Sequence, residues 1–329
     1  MTTKATTKYI GVDLGGTHMR AAIVDTQDGA VSNLIQVATL SREGHDAVMT
    51  RMAALVDQVI QAAGETKDTI GGIGIGAPGL LDLDHGTVLF LPNLPGNWKN
   101  VPLQQRIREL VGLPVHLLND ARAMTFGEWM YGAGRGVDTV ACYTLGTGVG
   151  GGLVIGGKLH LGISGSAGEL GHASIDMNGP QCGCGNRGCV EVYASGPAIA
   201  AAGVKAVVQG LTTRIGEMAG YDLNKITPEL VFRAARDGDL LARRIYEFAG
   251  ECLGVAISNI IVSVTPRKIV IGGGVAQAGD LLLEPIRRTI RERVVMAPIG
   301  EIQVIPAELG TYAGMIGAAA WARHCERGG

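Results

Sequence analysis

The chain has no surplus of charge of either sign. Its 329 residues carry 28 Lys and Arg against 30 Asp and Glu, a formal net charge of −2. A protein that neutralises a run of phosphates needs a basic face, so neither a nucleic-acid partner nor a membrane surface is indicated. A long apolar run is also missing. The best candidate, residues 253–264, is interrupted by Ser258, Asn259 and Ser263, and a membrane span needs about 20 residues. The opening MTTKATTKY holds no apolar stretch of the kind that directs secretion, so a cytoplasmic protein with reduced thiols is expected. Two common nucleotide motifs fail as well. Gly152 to Lys158 begins like a Walker A loop, but position 159 is Leu and offers no hydroxyl for Mg²⁺. Gly272 and Gly274 begin like a dinucleotide fingerprint, but Gln277 stands where its last glycine belongs.

What the chain has in excess is glycine, 51 residues of it, gathered in short runs. Clustered glycine marks tight turns and places where backbone must approach a ligand. The runs follow apolar strands. YIGVDLGGTHMRAAIVD reads as strand, glycine turn, strand, and VACYTLGTGVGGGLVIGG repeats that layout. Helical spacing of Val48, Met52, Leu55, Val56, Val59 and Ala63 predicts an amphipathic helix. Further strands are expected near 34–40, 115–118, 268–272 and 302–307. Further helices are expected near 104–111, 197–209, 228–236, 240–261, 281–294 and 314–324. Alternating strands and helices give an α/β class. The repeated hairpin suggests a duplicated fold with a ligand between its halves. The division is placed near Leu118: residues 1–118, with 312–329 packing back, form a small domain, and 119–311 a large one.

Three glycine turns can cradle phosphate oxygens with backbone N–H groups: Gly15-Gly16, Gly146-Thr147-Gly148 and the run containing Gly273 and Gly274. Asp13 precedes the first and Thr17 follows it, and a carboxylate beside such a cradle is where Mg²⁺ would be held, directly or through water. In HLLNDARA, Asn119 and Asp120 end an apolar strand. Phosphoryl transfer to an alcohol wants a carboxylate at the attacking hydroxyl, and Asp120 suits that role. Its structural alternative is the N-cap of a helix starting at Ala121.

The segment GELGHASIDMNGPQCGCGNRGCVEVYASG holds Cys182, Cys184 and Cys189, with His172 upstream. In a reducing compartment such a cluster points to metal rather than disulfide. Three thiols and one imidazole make a closed tetrahedral zinc set. Glu169 and Glu191 flank the segment, and fixed carboxylates accept hydrogen bonds from the hydroxyls of a polyol such as a sugar. Cys142, Cys252 and Cys325 read as small buried hydrophobes.

Taken together, DLGGTHMR, GIGAPG, PNLPGNW, NDARA, LGTGVGGG, GELGH, CGCGNRGCVE and IVIGGGVA resemble the ROK family (repressors, open reading frames and kinases), and within it the bacterial glucokinases. The resemblance covers nearly the whole chain. It implies an actin-like (ribonuclease H-like) ATPase fold with an active-site cleft between two domains. It also implies ATP with Mg²⁺, a structural Zn²⁺, and transfer of the γ-phosphoryl group to the 6-hydroxyl of a hexose such as glucose. Carried over to this chain, Asp120 is the general base, and Asn119, Glu169, His172 and Glu191 hold sugar hydroxyls. Gly76, Gly79 and Asn93 line the sugar pocket. His172, Cys182, Cys184 and Cys189 hold zinc. Gly15, Gly16, Thr17, Gly146, Thr147 and Gly148 meet phosphates, and Gly273 and Gly274 lie near the nucleoside. Two departures stand beside the chemistry: Leu118 where the family often has Glu, and Arg122 where it often has Asn. An N-acetylhexosamine kinase shares the knuckle and is the nearest rival. A sugar-responsive repressor is the rival from a different class. It is disfavoured because only eight residues precede Tyr9, too few for a helix-turn-helix. A homodimer or higher homo-oligomer is expected from the relatives.

Overall fold

The structure is a computed structural model that describes residues 6–91 and 94–328. The chain forms two compact units. The first comprises Met1–Gly136, Leu159–Gly168 and Glu308–Gly329. Its sheet is built from β1 (Lys8–Leu14), β2 (His18–Asp25), β3 (Ala30–Ala38), β4 (Ile73–Ala77) and β7 (Val115–Asn119), in the order β3-β2-β1-β4-β7. A small hairpin, β5 (Leu80–Asp82) and β6 (Thr87–Phe90), stands apart. β1 pairs antiparallel with β2 and parallel with β4, and β4 pairs parallel with β7. These central strands are buried, and they read as apolar runs because both faces are covered. Helix α1 (His45–Ala62) buries Val48, Met52, Leu55, Val56 and Val59 of the stripe its spacing predicts, while Ala63 caps its end and is half-buried. Helix α2 (Leu103–Val111) buries Leu103, Ile107 and Val111.

The first unit extends past Leu118, where the sequence reading placed its end. Helix α3 (Asp120–Tyr131) stays with it because it packs against the C-terminal helix Ala313–Glu326. That contact is backbone-close: a Cβ on Gly317 would lie 1.7 Å from the carbonyl oxygen of Ala123. Glu128 fixes the far end of α3. Its buried carboxylate accepts N–H bonds from Ala133 at 2.9 Å, Glu308 at 3.1 Å and Leu309 at 2.8 Å.

The second unit comprises Val137–Lys158 and Glu169–Ala307. β8 (Val140–Leu145), β9 (Val149–Ile155), β10 (Lys158–Leu159), β11 (Lys268–Gly272) and β12 (Gln303–Pro306) take the order β10-β9-β8-β11-β12. β8 is antiparallel to β9 and parallel to β11, and β11 is parallel to β12. Strand order and direction therefore repeat those of the first unit. This is the duplication that the two glycine hairpins foretold. Helices α4 (Glu191–Ala194), α5 (Gly196–Val208), α6 (Ile215–Met218), α7 (Pro228–Arg236), α8 (Leu240–Val264) and α9 (Asp280–Arg293) complete the unit. α8 runs three residues beyond its expected end and is long and apolar enough, by length and composition, to cross a membrane. Half of its apolar window is buried, and Ala249, Leu253, Ile257 and Ile261, four residues apart, belong to the unit's core. Each large apolar side chain so buried contributes roughly 1.5–3 kcal/mol.

Candidate active site

In the first unit, β7 delivers Asn119 and Asp120 to the start of α3. Asn119, not Asp120, is the N-cap. Its Oδ1 accepts from the backbone N–H of Ala121 at 3.0 Å and of Arg122 at 3.4 Å. The helix thus begins at Asp120, one residue earlier than the alternative cap assignment requires. Asp120 is half-buried and its Oδ1 accepts the N–H of Ala121 at 2.8 Å. The Asn119 amide nitrogen donates to the carbonyl of Gly79 at 3.1 Å. Gly76 lies buried in β4, and the nearest α3 atoms to a Cβ there are Ala123 Cβ at 3.6 Å and Asp120 Cα at 3.9 Å. Gly76, Gly79, Asn119 and Asp120 are therefore brought together. Asn93 lies outside the described residues.

The turn between β1 and β2 carries Gly15, Gly16 and Thr17, with Gly16 and Thr17 exposed. It is tied down by Gly15 N–H to His18 O at 3.0 Å and by the Thr39 hydroxyl to Gly15 O at 2.7 Å. Asp13 is directly opposite Arg20 in the ladder, and an Arg20 guanidinium nitrogen sits 2.5 Å from its Oδ2. A guanidinium on that oxygen leaves the other oxygen, or an intervening water, as the way Asp13 can serve a cation; Mg²⁺, which keeps several waters, suits the second. The sequence reading missed Arg20: the turn centres on Gly16-Thr17, and only counting outward from that pair sets position 20 opposite position 13.

In the second unit the turn between β8 and β9 presents Thr147 to solvent. Gly146 O accepts from Gly196 N–H at 2.8 Å. Gly148 makes room for Glu191: a Cβ there would stand 2.5 Å from Glu191 Oε2, which accepts the N–H of Val149 at 3.0 Å. Gly273 follows β11 at φ +90°, a backbone that L side chains rarely adopt, and with Gly274 it stands exposed before a 3₁₀ turn, Val275–Ala278.

Glu169 caps a 3₁₀ turn, Leu170–His172, and its carbonyl accepts the N–H of His172 at 3.0 Å. Residues three apart eclipse in a 3₁₀ turn, so Glu169 and His172 share a face. The three thiols and the imidazole converge as the spacing predicted, with one ligand atom from each lying within 4.8 Å of all the others. His172 Nδ1 is 3.6 Å from Cys182 Sγ, and Cys184 Sγ is 3.7 Å from Cys189 Sγ. A tetrahedral ion with ordinary Zn–S and Zn–N bonds separates its ligands by about 3.8 Å for S–S and about 3.6 Å for S–N. The donor set therefore fits a four-coordinate zinc. Burial and the neighbouring thiols push the Cys189 thiol up to about 12, and burial raises Cys182; backbone hydrogen bonding at Asn186 lowers Cys184. Two of the three thiols thus resist ionisation by themselves, and a bound cation would supply the charge that holds them as thiolates. Glu191 joins this cluster to the glycine turn, since its Oε1 is 3.7 Å from Cys182 Sγ while its Oε2 holds Val149 N–H. Cys142 and Cys252 are buried as expected; Cys325 is only half-buried.

The profile of the ROK family matches residues 9–325. A curated glucokinase of Thermotoga maritima is 37% identical over 312 residues, which is 95% of this chain and 96% of the relative. A xylose repressor of Caldicellulosiruptor bescii is 31% identical over 94% of this chain and 77% of its own length. Among solved structures, a ROK family glucokinase from Streptomyces griseus in complex with glucose and AMPPNP superposes with a TM-score of 0.84 at 35% identity, covering 96% of this chain and 99% of that one. With the actin-like duplication, the Asn119-Asp120 strand end and the thiol knuckle all in place, the chain belongs to the ROK family.

Proposed function

We propose that the chain is an ATP-dependent glucokinase, which moves the γ-phosphoryl group of ATP to the 6-hydroxyl of glucose and releases ADP. Glucokinase relatives aligned over nearly the full chain support the reaction and the substrate. The structural observation that carries the reading is Glu191, which touches both the knuckle and the turn after β8. One carboxylate thereby ties a sugar-reading segment to a phosphate-binding turn.

In this reading Asp120 takes the proton of the 6-hydroxyl as that oxygen bonds to the γ-phosphorus. Asn119, Glu169, His172 and Glu191 hold the other hydroxyls, with Gly76, Gly79 and Asn93 lining the pocket. His172 gives Nδ1 to the knuckle and keeps Nε2 for the sugar. The turns at Gly15-Gly16-Thr17 and Gly146-Thr147-Gly148 cradle phosphates, and Gly273 and Gly274 border the nucleoside. Mg²⁺, when bound near Asp13, would spread the charge that develops on the phosphate oxygens. Zinc in the Cys₃His set would be structural, fixing the chain on which Glu169, His172 and Glu191 stand. The cytoplasm is where we place the reaction.

Asp120→Asn tests the assignment. Turnover should fall by about 10² or more while glucose binding survives, because proton transfer alone is removed. Near-normal turnover would refute the role of Asp120. Sugar binding without turnover by the unaltered chain would favour the repressor-like reading suggested by the xylose repressors.

A further inference from the structure

Arg122 is 2% exposed, the largest fully buried side chain described, and it sits where a cation is least welcome. It occupies the third position of α3, inside the first turn, where the unpaired N–H groups give a helix its positive end. An acidic or amide side chain is the usual choice there. A buried guanidinium at such a place needs acceptors, and the fold provides them. An Arg122 terminal nitrogen donates to Asn119 Oδ1 at 2.7 Å, Nε donates to the carbonyl of Ala167 at 2.6 Å, and the other terminal nitrogen reaches the carbonyl of Ser166 at 3.3 Å.

These bonds have a consequence for Asn119. Its Oδ1 takes N–H groups from Ala121, from the Arg122 backbone and from the Arg122 side chain. Its Nδ2 gives one hydrogen to Gly79 O. The amide orientation is therefore fixed from both ends, and what remains to offer a ligand is a single N–H. Asn119 can meet a hydroxyl oxygen only as a donor. The same guanidinium tethers Ser166 and Ala167, which lead through Gly168 into Glu169 in the sequence. Its planar fork holds donors on three separate nitrogens in a fixed geometry, whereas an ammonium offers its three from a single point.

We propose that Arg122 is a positioning residue for the sugar, which locks the Asn119 amide as a donor and pins the Ser166–Ala167 backbone. The proposal rests on the sugar-kinase reading above. The test compares the unaltered enzyme with Arg122→Met and Arg122→Lys. It measures glucose KM, ATP KM and kcat, together with amide deuterium uptake across residues 159–168. Arg122→Met should raise glucose KM about 10-fold or more with ATP KM within about twofold, because a charged hydrogen-bond network is lost from one substrate's side only. Exchange across 163–168 should quicken. Arg122→Lys, whose three donors sit on a single nitrogen, should fall between the two. A role confined to packing would lower thermal stability and leave glucose KM unchanged in the folded enzyme, and that result overturns the proposal. Should Arg122→Met fail to fold, Arg122→Lys decides on the same readings. Failure of the kinase reading would show separately, as absence of turnover by the unaltered chain on any hexose. In that event the exchange measurement still decides: unchanged uptake across 163–168 overturns the tether.

Discussion

Replacing Gly148 with alanine would place a Cβ 2.5 Å from Glu191 Oε2 and 3.4 Å from Glu191 Cδ, and among the described residues beyond its chain neighbours nothing else lies within 4 Å. The clash is therefore with the far end of one side chain, and Glu191 moves. In moving it gives up the Val149 N–H at 3.0 Å and its place beside Cys182. A hydrogen bond to a charged group is worth about 1.5–3 kcal/mol. If that positioning is felt in the transition state, kcat/KM for glucose falls roughly 10- to 150-fold. Gly146 provides the contrast on the same turn, since a Cβ there meets no described residue within 4 Å beyond its chain neighbours. On this account Gly146 faces the space the phosphates take. Gly146→Ala should raise the KM for ATP, and Gly148→Ala should raise the KM for glucose. Steady-state kinetics with both substrates varied, on protein of checked zinc content, reads this directly. A Gly148→Ala enzyme with unchanged glucose KM, or with a defect in ATP alone, would refute the link from the turn through Glu191 to the sugar.

Cys184→Ser removes one of the four proposed ligands, so zinc measured by metal analysis should fall well below that of the unaltered chain, and glucose affinity should fall with it. A variant without zinc but with normal glucose affinity would separate the two. Asp239 anchors α8: it caps Ala242 at 2.8 Å and holds the Thr213 hydroxyl at 2.8 Å and the Arg214 backbone. Burial would raise its pKa, but the N–H donors of Ala242 and Arg214 and the Thr213 hydroxyl outweigh this and hold it below the ordinary carboxylate range. Its contribution is thus fully present above an unfolded pKa of about 3.9 and is lost as pH falls through the lower folded value. Asp239→Ala should cost about 1–2 kcal/mol at neutral pH by urea unfolding. The gap to the unaltered chain should shrink below about pH 4; a gap constant with pH would contradict the charge-based account.

The class of fold was legible because both hairpins announce themselves: an apolar strand, a glycine turn and a second apolar strand, at β1–β2 and again at β8–β9. The knuckle was legible because three cysteines and a histidine at close spacing make up a closed tetrahedral donor set. The boundary was not. Nothing in the spacing of α3 says that Ala123 and Gly317 meet backbone to backbone, which is what keeps the helix with the first unit. Asp120 could be read from sequence as base or as cap; the structure gives the cap to Asn119, because Oδ1 of Asn119 faces the first free N–H groups. Arg122 was visible only as a departure from the family. Its bonds to Ser166 and Ala167 join residues 44 and 45 positions away, a separation that no local pattern encodes. Arg20 was missed because the turn centres on Gly16-Thr17, one residue beyond the glycine pair that marks it in the sequence.

The most direct measurement is ADP production from ATP and Mg²⁺ with glucose, mannose, fructose, N-acetylglucosamine and N-acetylmannosamine offered separately. The account predicts strong turnover with glucose, and glucose 6-phosphate as the product. Turnover confined to an acetylated sugar would keep the phosphoryl transfer and contradict the substrate. No turnover with any of them, by zinc-loaded protein that still binds glucose, would contradict the kinase itself.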